Sequence, residues 1–129
     1  MKEFLLVGNP NTGKTTFFNF LTKSTEKVGN WHGVTVEEKR KKIDDDNELV
    51  DLPGIYSLTP LSFEEEVSVK YIYNHKGATI LNICDMFNLK RNLYLTLELL
   101  EAGLNVILII NSMGKKCELN ISSLEKKLG

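Results

Sequence analysis

Apolar residues follow two rhythms along this chain. Short uninterrupted runs, "EFLLVG" near the start, "ATILNIC" at 78–84 and "NVILII" at 105–110, read as strands buried on both faces. Between them the apolar positions recur at three- and four-residue spacing. Thr15 to Lys23, Glu64 to Tyr73 and Lys90 to Ala102 therefore read as helices, and Ile121 to Leu128 as a short amphipathic one. The stretch "VTVEEKRKKIDDDNELVDLPG" predicts two strands joined at the acidic turn Asp44 to Asn47, a solvated hairpin. The polar segment Ser24 to Gly33 before it is assigned no element. Strands alternating with helices imply an α/β protein, its sheet mostly parallel with one antiparallel hairpin strand and helices on both faces.

The first strand runs directly into "GNPNTGKT", Gly8 to Thr15, which fits G-x-x-x-x-G-K-[ST] between a predicted strand and a predicted helix. Strand, glycine loop and helix in that order predict a P-loop NTPase. Glycines let the loop wrap closely, so that Gly8, Asn9, Pro10, Asn11, Thr12, Gly13 and Thr16 line the nucleotide, with backbone N–H groups of the loop pointing at phosphate oxygens and the positive end of the new helix beside them. Lys14 is expected at the β- and γ-phosphates and the Thr15 hydroxyl on Mg²⁺. "DLPG", Asp51 to Gly54, then supplies a carboxylate for Mg²⁺ through water and an N–H to sense the γ-phosphate, while Pro53 and Gly54 also suit a type II turn. Thr35, preceded by Gly33 and Val34, lies between the first helix and the hairpin, where its hydroxyl and carbonyl would close over Mg²⁺ and γ-phosphate.

Composition narrows the partners. The chain has 129 residues, 42% of them hydrophobic, and 16 basic against 17 acidic side chains, which suits one globular domain with no global field for nucleic acid. No apolar run approaches the roughly 18 residues of a transmembrane helix, and the N-terminus lacks a secretory signal, so no direct membrane insertion and a cytoplasmic location are expected. Cys84 and Cys117 form no CxxC pair and read as reduced thiols. No His/Cys/carboxylate cluster has iron-ligand spacing, so no direct iron site is expected.

With these pieces in order, the sequence resembles the cytosolic GTPase domain of FeoB-type ferrous iron transporters, a small G protein-like fold. "GNPNTGKTTFFNFLT", "VGNWHGVTVE", "VDLPGIYSLTP" and "NLKRNLYLTLELLEAG" carry the resemblance and cover most of the chain. It implies GTP and GDP as ligands, Mg²⁺ and K⁺ as cofactors, and a membrane iron-transport domain as partner on the cytoplasmic side. Ile55 stands where other G proteins have a water-orienting glutamine. Family members instead use K⁺, which the resemblance assigns to Asn11 and to the backbone from Gly29 to Trp31; Trp31 alone reads equally as a surface-loop aromatic. His32 is given no chemical role. Asn11, Lys14, Thr35 and Gly54 are thus the expected catalytic groups.

Two departures from the family pattern stand out. The guanine-reading motif N-K/M-x-D appears as "NSMG": Asn111 is retained and expected at the base edge, Ser112 stands at the lysine/methionine position of the nucleotide-binding segment, and Gly114 replaces the aspartate that accepts from guanine N1–H and the 2-amino group. Lys115 and Lys116 do not restore those acceptors. The family also continues into a last strand, a serine-alanine loop and a final helix. The expectation is therefore one truncated domain over 1–129, without that strand and helix, the helical spacer or the membrane domain, leaving the strand at 105–110 as an apolar edge open to another copy. Two further readings stay open: a non-enzymatic remnant that binds nucleotide loosely or acts through protein contacts, and an NTPase of relaxed base specificity.

Overall fold

The computed structural model describes residues 2–10, 12–14, 16–18, 27–30 and 37–111. Its strands are β1 (Lys2–Gly8), β2 (Lys27–Asn30), β3 (Glu37–Lys42), β4 (Asn47–Asp51), β5 (Thr79–Asp85) and β6 (Asn105–Asn111), with helices α1 (Phe63–Asn74) and α2 (Leu89–Glu101). They form one sheet in the order β2-β3-β4-β1-β5-β6. β1 pairs in parallel with β4 and β5, and β5 with β6, whereas β3 is antiparallel to both β2 and β4. A single strand, β3, thus runs against the others, as the hairpin pattern predicts.

β1 sits near the centre because it is apolar on both faces. Leu5 and Val7 point into one core with Val50, Ile72, Ile80 and Leu95, and Leu6 points into the other with Phe18, Leu49 and Ile83. α1 starts where the Ser62 hydroxyl accepts from the Glu65 N–H at 3.1 Å, and its first turn carries Glu64, Glu65 and Glu66, which suit the helix dipole. In the hairpin turn, the Asp44 carboxylate accepts from the Asp46 N–H at 2.8 Å and the Asn47 amide at 2.9 Å, and these bonds hold its pKa below the usual range.

Three features differ from expectation. β2 occupies part of the polar segment 24–33, because pairing with β3, rather than any apolar pattern of its own, makes it a strand. A 3₁₀ turn, Met86–Asn88, precedes α2, where the Asp85 carboxylate accepts from the Phe87 N–H at 3.0 Å. A polar cluster also crosses the sheet at the ends away from the glycine loop. Arg40 of β3 donates to Glu48 at 2.8 Å, to Glu3 at 3.3 Å and to the Tyr71 hydroxyl at 2.9 Å, while Tyr71 donates to Glu3 at 2.6 Å. The predicted helix at 121–128 and Cys117 lie outside the described residues.

This cluster makes a pH prediction. Burial, reinforced by the hydrogen bond to Glu3, raises the Tyr71 pKa well above its ordinary value of 10.0, so folding favours the neutral phenol. Its contribution is fully present below about pH 10 and is lost as pH rises through the folded value, because the unfolded chain ionises first. Between pH 9 and pH 11 the urea midpoint should fall further for the parent chain than for Tyr71→Phe. Parallel curves would remove the phenol from the account.

Candidate phosphate-loop site

The motif segments come from distant parts of the sequence and meet at the C-terminal ends of the parallel strands, the position where open α/β sheets place ligands. β1 ends at Gly8, which lies opposite Ile83 of β5. A Cβ on Gly8 would stand 2.6 Å from the Ile83 carbonyl oxygen and 2.8 Å from its Cγ2. Only glycine fits there. The Gly8 carbonyl accepts from the Ile55 N–H at 2.9 Å, which fixes the "DLPG" segment against the loop. At Gly54 an added Cβ would lie 2.8 Å from the Pro10 ring and 2.9 Å from the Pro10 nitrogen. Loop and segment therefore touch backbone to backbone.

Within the loop, the Thr12 hydroxyl donates to the Asn9 carbonyl at 2.9 Å, and Gly13 takes a φ of 82°. The Phe17 N–H donates to the Gly13 carbonyl at 3.0 Å, opening the helical turn that carries Lys14 and residues 16–18. Asn9 is buried, and its Oδ1 has no hydrogen-bond partner among the described residues; Pro10 and Thr16 are exposed. Lys14 reaches across the loop to the Asp51 carboxylate and donates to the Leu52 carbonyl at 2.7 Å. Both ends of this ion pair are shielded, with Lys14 at 12% and Asp51 at 5% side-chain exposure. The Ser68 hydroxyl donates to the Pro53 carbonyl at 2.6 Å and so ties α1 to the same segment.

Asn111, at the end of β6, donates through Nδ2 to the Thr12 carbonyl at 3.0 Å. Its amide therefore braces the glycine loop. The guanine-reading motif predicts Asn111 at a base edge, and linear spacing carries no signal for its contact with the Thr12 carbonyl. Ile55 is fully buried in the core beside Leu5 and Val50, so the position after Gly54 presents no side chain to the loop. Gly29 lies in β2 opposite Glu38. Asn11, Thr15, Trp31, His32, Gly33, Val34, Thr35, Ser112, Gly114, Lys115 and Lys116 lie outside the described residues.

Among the described residues no group of three His, Cys, Asp or Glu side chains is arranged to hold a metal. Mg²⁺ needs less, since it keeps several waters and takes one or two protein oxygens together with phosphate. Asp51 is a hard carboxylate at the loop and fits that role. Among the described residues no helix is long and apolar enough to cross a membrane.

Comparison with known proteins agrees with this geometry. A family model described as ferrous iron transport protein B matches residues 2–129. The Fe(2+) transporter FeoB of Escherichia coli K12 is 44% identical over 135 residues, covering 96% of this chain and 18% of that protein. The chain thus spans less than a fifth of the length of such relatives. The GDP-bound A143S mutant of the S. thermophilus FeoB G-domain superposes with a TM-score of 0.89 at 44% identity, over 98% of this chain and 50% of that one. For the G domain of the T. maritima FeoB iron transporter the TM-score is 0.90 at 36% identity, over 99% and 82% respectively.

Proposed function

Since the chain belongs to the ferrous iron transport protein B family, we propose that it binds GTP and hydrolyses it to GDP as a regulatory domain of ferrous iron uptake, dependent on Mg²⁺ and stimulated by K⁺. The observation that carries this reading is Lys14 held over the glycine loop by Asp51 and the Leu52 carbonyl. An amine already desolvated there transfers to phosphate oxygens at small conformational cost. The GDP held by the S. thermophilus relative supports the same ligand class.

In hydrolysis, water attacks the γ-phosphorus and the bond to the β–γ bridging oxygen breaks, leaving GDP with the electron pair and inorganic phosphate with the surplus proton. Lys14 and the loop N–H groups hold the phosphates in line and offset charge on their oxygens. Asp51, with the Thr15 and Thr35 hydroxyls, would hold Mg²⁺, which when bound neutralises charge shared by the β- and γ-phosphates. Gly54 reports the γ-phosphate, and the buried Ile55 leaves the attacking water without a side-chain partner from that position. Asn11 with the Gly29 and Trp31 backbone would hold K⁺, a source of positive charge beside the leaving oxygen.

Asn111 favours a second reading, loose nucleotide binding without turnover, because its amide braces Thr12 and Gly114 supplies no carboxylate for guanine. Titration with fluorescent GDP and ADP in Mg²⁺ buffer, in K⁺ and in Na⁺, separates the two. The proposal expects GDP preference and GTP turnover that is faster in K⁺; equal, weak binding of both nucleotides without turnover would establish the second reading. Gly114→Asp should raise GDP over ADP preference about tenfold or more, since each charged hydrogen bond contributes about 1.5–3 kcal/mol. An unchanged ratio would place the base elsewhere.

A further inference from the structure

We propose that the groove between Tyr56 and Ser57 on one side and the beginning of α2 on the other docks an acidic polypeptide segment that presents an aromatic or aliphatic anchor. The groove has a volume of about 800 Å³, and its walls include Tyr56, Phe87, Leu89, Lys90, Arg91 and Tyr94. Among the described residues, none of those lining it belongs to the glycine loop or to Asp51–Gly54, which sets it apart from the phosphate site.

Two observations specify the occupant. Tyr56, Phe87 and Tyr94 are 45%, 51% and 62% exposed, an unusual density of aromatic surface in one concavity. Beside them Lys90 and Arg91 are exposed, and neither forms an ion pair among the described residues. Glu98 of α2 accepts from the Leu58 N–H at 3.4 Å, and the Asp85 carboxylate accepts from the Phe87 N–H and the Asn88 amide, so these two carboxylates are engaged by other donors. Aromatic walls flanked by two cations that form no ion pair among the described residues complement an apolar anchor flanked by carboxylates. Concavity favours a peptide over a lipid surface, which takes up apolar groups that protrude.

The site is also built rather than loose. Besides the Glu98 bond, Ser57 closes a small turn with Thr59 through two 3.1 Å hydrogen bonds, and the Asp85 carboxylate fixes both Phe87 and Asn88, the latter at 2.7 Å. Such preorganisation lowers the entropic cost of docking.

The test uses the full nucleotide-free chain, so its failure leaves the nucleotide reading untouched. The probe is a 15-residue helical peptide with Trp and Leu at i and i+4 among glutamates; one control keeps the anchors among lysines, and another keeps the glutamates with both anchors as alanine. Amide NMR shifts should map the acidic, anchored peptide to Tyr56, Ser57 and 87–94, with affinity at least tenfold above either control. Lys90→Glu with Arg91→Glu should reverse the preference toward the lysine peptide, an exchange that a merely unfolded variant cannot produce. Equal binding of both charged peptides would overturn the proposal. So would shifts centred elsewhere, no binding at millimolar peptide, stronger perturbation by vesicles of equal phosphatidylglycerol and phosphatidylcholine, or concentration-dependent self-association that occupies the same residues.

Discussion

Lys14→Ala is expected to weaken GDP and GTP binding by about a hundredfold or more. The lysine supplies charged hydrogen bonds worth about 1.5–3 kcal/mol each, and loss of two of them at the phosphates spans that factor. The amine is also the group that spans the loop, reaching both Asp51 and the Leu52 carbonyl. Removing it takes a positive charge from beside a carboxylate that is only 5% exposed, so some loss of stability accompanies the loss of binding. Affinity is therefore to be measured with fluorescent GDP at a temperature where circular dichroism shows the variant folded. Undiminished affinity in the folded variant would move the phosphate site away from the loop.

Gly8→Ala should produce the largest loss of stability among single-atom additions at the described glycines. The new methyl would meet the Ile83 carbonyl oxygen at 2.6 Å, and that oxygen belongs to the backbone of β5, in register with Gly8 itself. Neither partner can yield without parting two central strands. Overpacking of this kind costs about 3 kcal/mol, or a drop of roughly 10 °C in Tm for a domain of this size. Gly77 is the internal control, since an added Cβ there meets nothing within 4 Å. Gly77→Ala should leave Tm unchanged or slightly raised. Equal effects at the two positions in thermal unfolding would contradict the close approach of β1 and β5.

Much of this architecture is legible in local pattern because local physics produces it. The run "EFLLVG" makes a strand buried on both faces, the glycine and threonine positions after it make the loop, and the acidic turn closes the hairpin through Asp44's own side-chain hydrogen bonds. α1 and α2 begin and end within a residue of where their spacing places them. The chemistry of Lys14 and Asp51 is equally local in origin, since each belongs to a short motif with its own turn requirements.

Other features depend on partners far away in the chain. β2 has no apolar signature and exists because β3 pairs with it. Arg40 becomes a link between strand and helix once Glu3 and Tyr71 are folded beside it. Asn111 lies 99 residues from the Thr12 carbonyl that it braces, and Lys14 lies 37 from Asp51. The aromatic groove joins a segment after β4 to a helix after β5, a juxtaposition that no sequence window spans. The sequence by itself determined the described elements other than β2 and the 3₁₀ turn, the hairpin and the phosphate-loop motif, because turn preferences and side-chain periodicity act over a few residues. The strand order, the bracing of the loop and the groove were decided by the tertiary structure alone, because sheet pairing and side-chain packing select partners by position in space.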